Sequence, residues 1–88
     1  MHVHNLKTNS ESFAAIQEGH KRADLRLHDR DYHVGDLLVL HRLAGDEITY
    51  DEPVLVRLTH VQLGGQYGLE LGYSLLSFER VRITVNRG

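Results

Sequence analysis

Gly19-His20-Lys21-Arg22-Ala23-Asp24-Leu25-Arg26-Leu27-His28 is the stretch in which the chain changes its rhythm. Before it, Phe13 and Ile16 recur at helical spacing. From Lys21 the period is two, with Ala23, Leu25 and Leu27 alternating against Arg22, Asp24, Arg26 and His28. A helix is therefore expected to stop at Gly19, where a residue without a Cβ suits a C-terminal cap, and a strand to follow. The alternation predicts Ala23, Leu25 and Leu27 turned to a core and a charged face turned to solvent. Lys21 falls on the apolar side of strict alternation, but its long side chain at the strand mouth reaches the rim of the charged face, helped by any local twist or bulge.

Upstream, His2 to Leu6 reads as a short first strand. Thr8 and Glu11 have the spacing of a capping box, with Asn9 and Ser10 as alternative caps. A helix this short needs tertiary packing to persist. Downstream, His28-Asp29-Arg30-Asp31 is too polar to continue a strand, and Val34-Gly35-Asp36 reads as a tight turn. Leu37 to Leu43 is apolar on both faces, as in a strand bent into a barrel or covered on both sides. Gly45-Asp46-Glu47 marks a turn, Ile48 to Tyr50 a return, and Val54 to Val61 a β-branched strand after Pro53. Gly64-Gly65 breaks it, Gln66 to Gly72 forms a loop with room for one helical turn, and Tyr73 to Phe78 is another strand. Val81, Ile83 and Val85 alternate as a last strand or edge extension. The sum is an α+β chain: five or six strands in a small pseudo-barrel, with one short helix after the first strand.

The 88 residues suit a single domain spanning 1–88. With 41% hydrophobic and 25% charged residues, a packed core is expected rather than disorder. The absence of cysteine excludes disulfides, thiolate metal sites and a cysteine nucleophile. No apolar run is long enough for a membrane helix, and Met1-His2-Val3-His4 lacks a signal-peptide core, so a cytosolic location is expected. The net charge of −2 argues against a general polyanion binder. A local basic patch exists all the same: His20, Lys21, Arg22, Arg26, His28 and Arg30.

A set of short motifs carries a family resemblance. These are His4-Asn5-Leu6-Lys7, Gly19-His20-Lys21, Leu25-Arg26, Asp29-Arg30-Asp31-Tyr32, Val34-Gly35-Asp36, Gly68-Leu69, Gly72-Tyr73 and Leu76-Ser77. In order and spacing, from about His4 to Phe78, they resemble a compact bacterial and phage family of unknown function placed among the ASCH domains of the PUA-like superfamily. The resemblance implies a small β-barrel with a cleft between barrel and helix, used by relatives for RNA or modified nucleosides. Gly19, Lys21, Asp24 and Arg26 fit the places of the shared ASCH pattern. ASCH-like amidohydrolases acting on acetylated cytidine carry lysine and threonine at two of those places, with a distant glutamate. Lys21 matches the lysine, Asp24 stands where the threonine would be, and no residue matches the glutamate. That departure shifts the expectation from catalysis to binding.

The side-chain chemistry supports two readings. Lys21 and Arg26 can hold a phosphate or polarise a carbonyl, Asp24 can orient Arg26 or accept from a base amino group, and Arg22 and Arg30 extend the charge. Tyr67, set among glycines in a loop, is the candidate for stacking a base. The first reading is an RNA- or nucleotide-binding module using these residues. The second is a small hydrolase on modified nucleosides or RNA, with Lys21 and Asp24 catalytic and Glu70 or Glu79 supplying a second carboxylate. A protein-interaction module is a third. The plain alternative for Lys21, Asp24 and Arg26 is a surface ion pair worth about 0–1 kcal/mol. His2 and His4 share a strand face, but no third ligand stands at metal spacing, so neither metal nor cofactor is expected. The serines lack a nucleophile context.

Overall fold

The computed structural model describes residues 1–82. Its elements are β1 (Val3–Asn9), α1 (Ser10–Gln17), β2 (Ala23–Leu27), β3 (Leu37–Ala44), β4 (Glu47–Ile48), β5 (Val54–Leu63) and β6 (Tyr73–Arg80). The strands form one sheet in the order β1-β3-β5-β6-β2, with β4 paired to the end of β3. β1 and β3 run parallel, and the remaining pairs are antiparallel. The sheet curls into a half-barrel, and its concave face holds the core. This is the expected α+β architecture.

The core is built by parity. Leu6 on β1, Leu38 and Leu40 on β3, Val54, Val56 and Leu58 on β5, and Leu76 and Phe78 on β6 are all buried. Phe13 and Ile16 of α1 join them. Each such side chain stabilises the fold by about 1.5–3 kcal/mol through removal from water, which is what holds an eight-residue helix in place. β3, flanked by β1 and β5, is half-buried even on its outer face at Leu37 and Val39, as its unbroken apolar run predicts.

Several expectations are corrected in detail. The first strand runs on to Asn9, because Leu6 and Thr8 share the inward parity and both are buried. Thr8 therefore does not cap α1. Asn9 does, its side-chain oxygen accepting from the Ser12 N–H at 2.8 Å. The return strand after Gly45 is only Glu47–Ile48, one bond further being made by the Thr49 N–H to the Arg42 carbonyl at 2.9 Å. Gln66 to Gly72 contains no helical turn; an isolated bridge between Gln66 and Leu69 organises it. Gly64 admits no side chain there, since a Cβ would run into the Glu70 carbonyl. Val81 and Arg82 lie beyond β6 and outside any strand, and the alternation through Ile83 and Val85 falls outside the described residues.

The largest correction concerns β2. Leu25 and Leu27 are 52% and 55% exposed, whereas Asp24 and Arg26 point inward with side chains only 18% and 20% exposed. The predicted faces are reversed. The charged face turns into the half-barrel because partners wait for it there, as described below.

Candidate functional site

Lys21, Asp24 and Arg26 come together. Lys21 precedes β2, so the alternation of the strand does not bind it, and its Nζ lies 3.2 Å from Asp24 Oδ1. Arg26 Nε donates to Asp24 Oδ2 at 2.9 Å. Arg26 then crosses to β1: Nη1 donates to the Lys7 carbonyl at 2.9 Å and Nη2 to Thr8 Oγ1 at 2.8 Å. One guanidinium thus links the two end strands of the sheet, which share no backbone pairing. Asp24 serves as the hinge between a cation at the helix end and a cation at this seam.

The two cations open onto different concavities. Lys21 and Arg22 line a cavity of about 460 Å³ between the end of α1 and the β5–β6 face, together with Gly19, Thr59, Glu79, Arg80 and Arg82. Arg26 lines a smaller one of about 280 Å³ along the seam, with Lys7, Asp29, Arg30 and Tyr32. The helix-side cavity carries Lys21, Arg22, Arg80 and Arg82 against Glu79 as its one acidic lining residue. Two of its arginines are held at the end of α1: Arg80 Nη1 donates to the Gln17 carbonyl at 2.6 Å, and Arg22 Nε to the Gly19 carbonyl at 3.3 Å. These bonds satisfy helix-end carbonyls and suit the negative end of the helix dipole. Each guanidinium keeps other N–H groups for a ligand.

Arg80 and Arg82 were not among the sequence candidates, and a signal for them exists. Arg80 continues the parity of Ser74, Leu76 and Phe78, all buried, so that face of β6 ends in arginine, and Arg82 lies just beyond the strand. Charge at an inward parity marks a rim, as it does for Asp24 and Arg26 on β2. Glu79 lines the helix-side cavity, whereas Glu70 lies in the β5–β6 loop. Arg30 sits at the seam, donating to the Asn5 carbonyl at 3.3 Å and paired with Asp29 at 3.5 Å. Tyr67 stands 88% exposed at a backbone φ of 53°, in the β5–β6 loop and outside these cavities.

The histidines gather around a carboxylate. Asp36 is 2% exposed. It accepts from the His2 N–H at 3.0 Å, the His33 N–H at 3.0 Å and the His4 ring Nε2 at 2.9 Å. Burial pushes its carboxyl up, but the bonds from His2, His4 and His33 outweigh burial and hold it well below the usual carboxylate range. His4 packs edge-on against Tyr32, and Tyr32 against His28, with centroids 5.0 and 5.9 Å apart. Burial raises the Tyr32 hydroxyl above its ordinary value, with Arg30 pulling the other way. The arrangement ties β1 to the turn before β3. No group of three or more metal-ligating side chains is placed to hold an ion among the described residues, and no helix there is long and apolar enough to cross a membrane.

Residues 3–78 match a family described as Domain of unknown function (DUF3850). Over 59 residues the chain is 44% identical to a protein of Escherichia phage P2 described as "Uncharacterized 12.9 kDa protein in GpA 3'region"; the match covers 67% of this chain and 53% of that protein. The chain thus spans about half the length of the curated relative it matches.

Proposed function

The chain belongs to the family described as Domain of unknown function (DUF3850), and from that premise we propose that it is an RNA- or nucleotide-binding module of PUA-like, ASCH type. The cleft between α1 and the half-barrel is its binding site. The observation that carries this reading is the clustering of Lys21, Arg22, Arg80 and Arg82 around one cavity in a chain whose net charge is −2. A chain with no general excess of positive charge concentrates it where a concavity of ligand size exists. Arginine forks suit phosphate oxygens, and Lys21 adds a point charge. Arg26 lines the seam cavity instead, with donors turned to Asp24, Lys7 and Thr8.

A fluorescein-labelled single-stranded RNA of about 12 nucleotides, titrated by anisotropy, tests the reading. Three or four phosphate contacts give a slope of log K against log salt of about −2 to −3. Lys21→Ala combined with Arg82→Ala is expected to weaken binding at least about tenfold and to flatten the slope by about 1 to 1.5. Unchanged affinity in that variant would remove the cleft as the binding site.

A hydrolase of modified nucleosides is the second reading, favoured by one observation: Glu79 lines the same cavity as Lys21. Lys21 would stabilise developing negative charge, Asp24 would orient it through the 3.2 Å pair, and Glu79 would serve as the base. Acetylated cytidine left intact at high protein concentration argues against it; release of acetate that Glu79→Gln abolishes argues for it.

A further inference from the structure

The arginines of this chain divide into two groups. Arg26, Arg30 and Arg42 each pair with an aspartate, at 2.9, 3.5 and 3.2 Å. Among the described residues Arg22, Arg80 and Arg82 have no carboxylate partner, and all three line the helix-side cavity. Lys21, which also lines it, shares its charge with Asp24. Glu79, the acidic lining residue, stands opposite Arg57 in the β5–β6 ladder, where unlike charges attract. The negative end of α1 is covered. The Ala14, Ala15 and Ile16 carbonyls accept from the backbone N–H groups of residues 18–21, and the Gln17 and Gly19 carbonyls from Arg80 and Arg22. A bulge in β5, where the register slips between Leu58 and His60, sets Thr59 in the same lining, a hydroxyl beside the cations. Beyond the cavity Arg57 faces Glu79 and the other guanidiniums are paired, so among the described residues no row of uncommitted arginines leads away from it.

Resting on the reading of this cleft as a nucleotide site, we propose that it takes a terminal phosphate monoester, as carried by a mononucleotide or by the end of an RNA strand, over a phosphate inside a strand. An internal phosphodiester has a single negative charge and two free oxygens. A monoester has close to two charges and three free oxygens. Three guanidiniums gathered on one concavity of about 460 Å³ keep donors for all three oxygens after their bonds to the end of α1. A groove that tracks a strand spreads its cations along the backbone instead. Ile16, Val56 and Phe78 give the cavity an apolar floor, against which the sugar or base of the same nucleotide lies. The terminal group and the phosphate next to it together carry about three charges, in agreement with the salt slope expected of this cleft.

The test uses one single-stranded RNA sequence of about 12 nucleotides, labelled internally, in three forms: hydroxyl at both ends, 5′-phosphate and 3′-phosphate. Each is titrated against the full chain by anisotropy. One phosphorylated form is expected to bind at least about tenfold tighter than the hydroxyl form. Arg22→Ala combined with Arg82→Ala, both at exposed positions, should reduce that advantage below about threefold. Lys7→Ala, at an exposed cation outside the cavity, should keep it. Adenosine monophosphate and adenosine, titrated into isotope-labelled full chain by NMR, distinguish the two sources. Amide shifts at Gly19, Lys21 and Thr59 with the monophosphate alone, where neither phosphorylated strand gains, assign the site to free mononucleotides and support the proposal. Equal binding of the three strands, with equal response to adenosine and its monophosphate, overturns the proposal and leaves the cleft as a site for RNA. Absence of binding by every probe overturns both. A phosphate advantage that survives the double variant also overturns the proposal, because the phosphate then lies elsewhere.

Discussion

Replacing Asp36 with alanine is expected to cost about 3–4 kcal/mol of folding stability. The carboxylate is buried and serves three donors: the His2 and His33 N–H groups and the His4 ring. Alanine removes the acceptor and strands all of them, and unsatisfied buried groups cost about 1–3 kcal/mol each before relaxation. Domains of this size hold about 4–13 kcal/mol in total, so the variant should lose a large share of its stability while remaining mostly folded at ambient temperature. Urea unfolding should show a midpoint lowered by about 2 M at an unchanged m-value. Asp36 also fixes an acid dependence. Its folded carboxyl lies below its unfolded value, so its contribution is complete above the unfolded value of about 4 and is lost as pH falls below it. The stability gap between the parent chain and Asp36→Asn should therefore narrow steadily below about pH 4. A constant gap would show that the charge on Asp36 contributes nothing.

Arg26→Ala is expected to cost about 2–3 kcal/mol, less than Asp36 because the guanidinium keeps some contact with water. Its bonds to Asp24, Lys7 and Thr8 are the side-chain stitch between β2 and β1. Arg26→Lys should recover less than half of that loss, since an ammonium cannot span three separated acceptors. The local signature is hydrogen exchange: amides of β1 should open faster, while those of β5, in the middle of the sheet, keep the protection set by global unfolding. Equal stability for the lysine variant and the parent would show that charge alone, and not the fork, does this job.

Much of the fold was legible because it rests on local periodicity. Phe13 and Ile16 identify α1, and the unbroken apolar run from Leu37 identifies the strand flanked on both sides. The orientation of β2 was not legible. Alternation states that two faces differ, not which faces inward, and the acceptors that draw Arg26 inward come from Lys7 and Thr8, on a strand far from it in sequence. Thr8 was misplaced for the same reason: its spacing to Glu11 fits a cap, but its parity with Leu6 buries it. The site was half legible. Lys21 and Arg22 line the helix-side cavity from a segment the sequence singles out, whereas Arg80 and Arg82 reach it only because the end of β6 comes to the end of α1. Nothing in the spacing of Val34-Gly35-Asp36 announces that its carboxylate is the partner of His4, which lies 32 residues away.

The pairing of β2 with β6, such as Ala23 with Ser77, has a consequence for the chain during synthesis. A ribosome working at about 5–20 residues per second exposes β2 for several seconds before β6 exists. Through that interval Leu25 and Leu27 have no ladder, and contacts so distant in sequence close slowly afterwards. Asp24 and Arg26, interleaved with these leucines, break the short apolar segment that would otherwise associate with its own kind. The charges that join the strand to its neighbour in the finished molecule therefore act earlier as gatekeepers against aggregation of the nascent chain.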